Sequence, residues 1–507
     1  MNKELKMIIF RIIFVVISIA FTFTNAFSQS ISDTLETAKT LRNEKKFKAA
    51  FALLENYRIH HPQDINASWL SAQTAYWMNK INTSEVIYEQ AIQKHPENYY
   101  LKLDYAKMLV NVGAFEKAAP ILTTYLQYDS MNSEALLAFA KISFWKSKLK
   151  EANQMVEKIL LLEPLSKEAL GLRDEIRLAK SPWAKVSYAY NTDDQPLKTS
   201  TVIFEGGLYG NAFTFLHFDF RVPTFISENS TNNALWFSVG NTSVFSKQKI
   251  KLNIELGLLK YPAGNNYEFT GNLQLDKTIL NHLVFSVQAE RKPYFYTLNS
   301  IGKTVIENQF SVSASWLDKD KWNAKMLYSK DYFNDNNSIS TFSAWLITPP
   351  LKLSIIDFHL GYGYNYSTSD ENRFEADKSL YDIVTLTNPR NGISGSYQPY
   401  FTPNNQQIHS AIASVGLHFS NKIQFNLKAS YGFYATSLSP YLYVDKDESN
   451  NDYLVKGFYN NIYSPLEISL GLNFKMSNKV NLNAEVIYNK TDYYKNLYLT
   501  LGIKKSF

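Results

Sequence analysis

The sequence predicts an α + β multidomain chain: an N-terminal α-solenoid followed by a C-terminal antiparallel transmembrane β-barrel of about 16 strands. Three observations predict it. Between Ile31 and Lys180, small, apolar and Pro residues recur at a step of 34 residues. From Trp183 to Phe507, apolar and polar side chains alternate with period two. The alternating runs are joined by short turns at one end and by longer polar stretches at the other, which is the asymmetry of an outer-membrane barrel.

Residues 1–28 read as a signal peptide. Lys3 and Lys6 precede an apolar run from Met7 to Phe23, and Ala26-Phe27-Ser28 places small residues three and one before a cut. The chain contains no Cys, so a lipid-modified cysteine, a disulfide and a thiolate metal site are all excluded.

The repeat array is expected over 29–180. Pro62, Pro96 and Pro164 keep the step of 34, with Ser130 at the intervening position. Ala38, Ala72, Ala106 and Ala140 keep it too, as do Ala50, Ser84, Ala118 and Ala152, and Phe47, Ile81, Phe115 and Leu149. Small residues let two antiparallel helices approach, the larger position fills the gap, and Pro stops the second helix. The region resembles tetratricopeptide repeats, in four units over 31–64, 65–98, 99–132 and 133–166, with a capping helix over 167–180. That resemblance implies a protein partner on the concave face. Tyr76, Trp77, Tyr105, Phe144 and Trp145 lie in first helices, as groove or as inter-helix core.

The barrel is expected over 181–507. Runs such as Ile250–Leu258, Ile423–Tyr431, Leu466–Phe474 and Val480–Val486 alternate cleanly. Sixteen such runs lie near 184–192, 201–210, 212–222, 234–245, 249–261, 266–279, 282–291, 304–317, 321–333, 338–348, 352–367, 407–419, 422–436, 465–475, 478–490 and 496–507. Even-numbered strands end in tight turns at Gly210-Asn211, Ser246–Gln248, Asp318–Asp320, Pro349-Pro350, Ser420-Asn421 and Met476–Asn478. Odd-numbered ones end in longer polar loops, notably Ser369–Gln406 and Ser437–Ser464. Trp236, Trp316, Trp322, Trp345, Tyr362, Tyr364 and Tyr366 fall near strand ends and are expected in an aromatic girdle. The last strand puts Leu497, Leu499, Leu501, Ile503 and Phe507 on one face. Its terminal Phe507 resembles the barrel-assembly signal of outer-membrane proteins.

Signal peptide, tetratricopeptide repeats and outer-membrane barrel, in that order, resemble the YaiO family of outer-membrane proteins. Gly395-Ser-Tyr-Gln-Pro-Tyr-Phe-Thr-Pro403 adds a local likeness to that family and, more distantly, to exopolysaccharide export porins. The array here is shorter than the export porins usually carry. The resemblance implies an outer-membrane barrel with periplasmic, protein-binding repeats, serving secretion or assembly of a surface polysaccharide. A general porin or structural protein is the alternative, and a lipid- or glycan-modifying enzyme a minor one. Implied partners are outer-membrane lipids, the barrel-assembly machinery, a periplasmic or envelope protein, and a polysaccharide cargo.

The inward phase of the strands offers Asp219, Arg221, Lys251, Asn253, Glu255, Asn272, Gln274, Asp276, Gln288, Glu290, Lys325, Lys428, Glu467, Asn483 and Glu485 as lumen-lining residues. Both signs of charge occur, and a formal net charge of +6 over 507 residues makes no case for nucleic acid. Catalytic, cofactor-binding and metal residues are not expected. His409 and Ser410 are adjacent on a strand and so point to opposite faces, the other histidines lack a partnered nucleophile, and no His-x-x-x-His pair suggests a metal.

Overall fold

The computed structural model describes residues 34–507 except 196, 211–213, 229, 246–247, 263–265, 281, 319–320, 354, 387–392 and 421. The expected signal peptide lies outside the described residues, as do the turn positions Asn211, Ser246, Lys247, Lys319, Asp320 and Asn421. The chain divides into two compact units, at Ile176/Arg177.

In the first unit, residues 34–43 form helix α1. It is followed by α2 (Phe47–His60), α3 (Ile65–Trp77), α4 (Ile81–Lys94), α5 (Tyr99–Asn111), α6 (Phe115–Tyr128), α7 (Ser133–Trp145), α8 (Leu149–Leu162) and α9 (Lys167–Lys180). The 34-residue step is physical at three places. Ala38, Ala72, Ala106 and Ala140 on first helices, and Ala50, Ser84, Ala118 and Ala152 on second helices, have no exposed surface. A larger side chain at any of them would force the pair apart. Asp64, Asn98 and Asn132, again 34 apart, cap α3, α5 and α7 by accepting from backbone N–H groups of the first turn.

The third place is the turn between paired helices. Lys45, Asn79, Gly113 and Ser147 all have positive φ, between 58° and 78°. Gly tolerates that conformation, and Asn visits it more readily than Lys or Ser. Ser147→Gly and Lys45→Gly are each expected to stabilise the repeats by about 0.5–1 kcal/mol. The helical circular-dichroism melt reads this, and an unchanged or lower midpoint would contradict it.

A half-buried polar knot, with Arg42 and Tyr88 at its buried centre, ties the first three repeats. One carboxylate oxygen of Asp104 accepts from Trp69 Nε1 at 2.5 Å, Gln73 Nε2 at 2.7 Å and the Tyr88 hydroxyl at 2.6 Å. Arg42 donates to the Gln73 amide oxygen at 2.9 Å and lies over the Trp77 ring. Burial, reinforced by Asp104, pushes the Tyr88 hydroxyl well above its ordinary value.

In the second unit, sixteen strands among the described residues form one ring. They are β1 (Trp183–Asp193), β2 (Lys198–Tyr209), β3 (Thr214–Ile226), β4 (Leu235–Phe245), β5 (Ile250–Lys260), β6 (Tyr267–Leu280), β7 (Leu283–Pro293) and β8 (Ile306–Trp316). They continue with β9 (Asn323–Phe333), β10 (Ser338–Ile347), β11 (Ile356–Ser369), β12 (Gln406–Ser420), β13 (Ile423–Lys446), β14 (Leu466–Lys475), β15 (Val480–Lys490) and β16 (Lys495–Ser506). Each pairs antiparallel with its neighbours. The ring closes through β16 on β1, in register from Trp183↔Ser506 to Asp193↔Asn496.

Closure leaves the ring without an edge strand among the described residues, as a lipid environment demands. Val186, Phe204, Phe218, Leu256, Val287, Val312, Leu470, Leu501 and Ile503 stand exposed on the outer face, and the alternate residues face the lumen. No helix among the described residues is long and apolar enough to cross a membrane.

Two expectations need correction. Trp236 lies between the exposed Leu235 and Phe237, and Trp345 precedes the exposed Leu346. Strand parity therefore turns both indoles to the lumen face, out of any girdle; closeness to a strand end does not choose the face. The Ser437–Ser464 stretch is a ribbon and not an irregular loop. β13 leaves the ring after Thr436 and continues to Lys446, paired with a strand over Asp452–Tyr463.

The connections at one end of the ring are short, the longest being 348–355. The other end carries 294–305 with helix α10 (Leu298–Gly302), the β13 ribbon, and 370–405. That last connection includes helix α11 (Leu380–Leu386) and a small hairpin of Phe374–Ala376 with Gly395–Tyr397.

Candidate functional site

The lumen wall is polar and largely self-neutralised. Asp219 pairs with Arg221 at 2.7 Å, and Arg221 stacks over Trp236, whose indole N–H donates to Thr270. Glu255 accepts from Ser238 at 2.6 Å and lies 3.7 Å from His217. Asp276 accepts from Ser286 and Gln274, and Gln288 donates to Asn272. Lys292 bridges Glu290 at 2.9 Å and Glu307 at 3.5 Å. Lys428 faces Glu467 at 3.8 Å, Glu485 accepts from Ser469 at 3.3 Å, and Asn253 accepts from Thr242. By parity Lys251, Lys325 and Asn483 share this face. These residues are spread around the wall, and no three acids or histidines among the described residues form a metal nest.

What the sequence did not announce lies at the long-loop end. The segment Tyr397–Thr402 crosses the mouth of the barrel. The Phe401 N–H donates to the hydroxyl of Tyr294, in the β7–β8 connection, at 3.3 Å. The Phe401 ring stacks on Tyr493, in the β15–β16 connection, with centroids 4.0 Å apart and planes 16° apart. In a sixteen-strand ring those two connections lie opposite one another. A continuous line of contact, a hydrogen bond from the Phe401 backbone to Tyr294 and a ring stack from Phe401 to Tyr493, therefore joins opposite sides of the mouth.

The bar is anchored on both sides. Tyr400, with no exposed surface, stacks on Phe333 at 3.7 Å and donates to both oxygens of Asp335, which Arg373 pairs with at 3.0 Å. Thr297 donates to the Pro399 carbonyl, and Phe295 packs between Phe225 and Tyr261. On the far side Tyr397 meets Tyr493 at 5.2 Å. Asp492 next to it accepts from Ser437 and Ser439 at 3.0 Å and from Asn461. Lys456 donates to the Asn372 carbonyl, and Leu438 to that of Asn404. The residues that bar the mouth come from four separate connections, so no local pattern pointed to them. The Gly395–Pro403 motif was the one signal within them.

Burial pushes the hydroxyls of Tyr294, Tyr397, Tyr400 and Tyr493 above the ordinary tyrosine value of 10.0. A raised value in the packed state means that the barred state is favoured fully below pH 10 and loses that advantage as pH rises beyond it. Conductance of the purified chain in a planar bilayer is therefore expected to rise reversibly above pH 10. A current flat to pH 11 would contradict this.

Fold and site define the class: an outer-membrane-type β-barrel of sixteen strands with tetratricopeptide-like repeats at its N-terminal side and a barred mouth. No family model matches the chain, and no curated protein does. Among solved structures it is similar to one described as a bacterial polysaccharide outer membrane secretin. That match covers 65% of this chain and 99% of the other at 11% identity, with a TM-score of 0.46. The repeats are similar to a tetratricopeptide repeat protein from Parabacteroides merdae, at 20% identity over 29% of this chain and 60% of the other, with a TM-score of 0.27. They are similar also to a thermophilic TPR protein from Thermus thermophilus, at 17% identity over 29% and 81%, with a TM-score of 0.26. All three scores lie below one half, and the class stands on the strand pairings and the helix register described above.

Proposed function

We propose that this chain is a non-enzymatic, gated outer-membrane conduit for a surface polysaccharide, with its repeats in the periplasm recruiting an envelope protein. The long-loop end then faces the outside. The observation that carries the reading is the aromatic bar: a lumen lined by amides, hydroxyls and paired charges, ended by a side-chain bridge that noncovalent contacts hold shut. A polar wall of balanced sign suits a hydroxyl-rich chain, since it offers hydrogen bonds without a strong field. Freely diffusing solutes need a mouth that stands open, so a general porin fits the bar poorly. The module order, which resembles that of the YaiO family, supports the same reading.

The test is secreted and surface polysaccharide in a deletion strain, complemented with the full chain or with residues 181–507 behind a signal peptide. Polymer is expected to fall on deletion and to return only with the full chain. Unchanged polymer on deletion would overturn the proposal.

A further inference from the structure

Rising from the bar is a surface that the conduit itself does not require. The β13 ribbon pairs Ser439↔Tyr459, Tyr441↔Gly457, Tyr443↔Val455 and Asp445↔Tyr453. Directly opposed residues share a face. One face therefore presents Tyr459, Tyr441, Tyr443 and Tyr453 on four successive rungs, about 7 Å apart. All four are open, at 50%, 46%, 41% and 44% exposure. The rings are ordered: Tyr441 lies 5.9 Å from Tyr443 with planes 27° apart, and 6.2 Å from Tyr459. Gly457 makes room for this, because a Cβ there would sit 2.4 Å from the Tyr441 ring.

We infer that this tyrosine ladder is a binding track for a neutral polysaccharide strand leaving the mouth. Three observations select that occupant. The track is continuous with the bar: the same face begins at Ser437 and Ser439, held by Asp492 beside Tyr493, which meets Phe401. Among the described residues of the ladder, its only charge is Asp445, so a strongly anionic polymer finds no counter-charge and a strongly cationic one a single carboxylate. Its chemistry is rings with hydroxyl tips, together with the amide of Asn461. Such rings pack against the apolar face of a sugar while the polar tips meet its hydroxyls. A lipid-facing surface would instead be aliphatic, as on the outer face of the ring. The ribbon is held rigid from its other side, where Leu442 is buried and Lys456 is tied to Asn372. The cargo class rests on the conduit reading; the ladder's geometry does not.

The test is calorimetric binding of cellohexaose, chitohexaose and an anionic hexauronate to the purified full chain in detergent. A neutral hexasaccharide is expected to bind, and Tyr441→Ala/Tyr443→Ala/Tyr459→Ala to weaken it by about tenfold or more. Tyr441→Phe/Tyr443→Phe keeps the rings and is expected to stay within about threefold. Gly457→Val, which leaves every ring present but displaces Tyr441, should weaken binding. Heat-modifiable gel mobility verifies that each variant keeps its barrel. No neutral binding by the parent chain, binding of the hexauronate alone, or equal binding by the triple Ala variant each overturns the inference. Glycan binding in a chain whose deletion leaves secretion intact would keep the ladder and sink the conduit.

Discussion

Cells carrying Tyr400→Ala/Phe401→Ala/Tyr493→Ala are expected to become sensitive to bulky hydrophilic antibiotics that the outer membrane otherwise excludes. Truncating a buried aromatic side chain costs roughly 3–5 kcal/mol. Phe401 and Tyr493 touch each other, so their losses overlap and do not simply add. Even with that overlap, the barred arrangement loses on the order of 5 kcal/mol or more. A change of about 5.5 kcal/mol carries a two-state equilibrium from 1:99 to 99:1. Truncation at Tyr381, which is 74% exposed on α11, should leave sensitivity unchanged. If the triple variant is no more permeable than the Tyr381 control, the bar does not limit passage.

The second large effect belongs to the repeats. Asp104→Ala leaves the donors of Trp69, Gln73 and Tyr88 without their common acceptor. An orphaned buried donor costs about 1–3 kcal/mol, which applies in full to Tyr88 and in part to the half-buried Trp69 and Gln73. Because the three share one oxygen, the total is expected near 3–4 kcal/mol rather than the full sum. Limited proteolysis of the full chain should show the repeats cleaved on the order of hundreds of times faster while residues 183–506 stay resistant. Asp104→Asn, which keeps an acceptor oxygen, should recover part of the loss. Proteolysis unchanged by Asp104→Ala would mean that water satisfies those donors.

The architecture was legible because both modules write their geometry as a period. A step of 34 is visible at Ala38, Ala72, Ala106 and Ala140 since each marks the same close helix contact. Strands such as Ile250–Lys260 alternate because one face meets lipid and the other the lumen. Where that contrast ends, legibility ends with it. Beyond Thr436 the β13 ribbon lies outside the ring and loses the contrast between its two faces, so Ser437, Ser439, Asn460 and Asn461 read as loop although the backbone continues as strand. Trp236 and Trp345 show that parity, not distance to a strand end, assigns a face. The bar was least legible. Tyr294, Phe333, Phe401 and Tyr493 are about 200 residues apart at the extremes and meet only because the ring returns each connection to the same rim. The lumen charges stood in the alternation, but their pairing, Lys292 between Glu290 and Glu307 for example, depends on strand register.

The central claim is that this barrel is a passage whose mouth is held shut by residues 397–402. Its most direct test is planar-bilayer conductance of the purified full chain beside a chain in which Ser396–Thr402 is replaced by a Gly–Ser linker of equal length. The account predicts little steady current through the parent chain and large, stable steps through the replaced one. Equal, steady conductance of the two would contradict it.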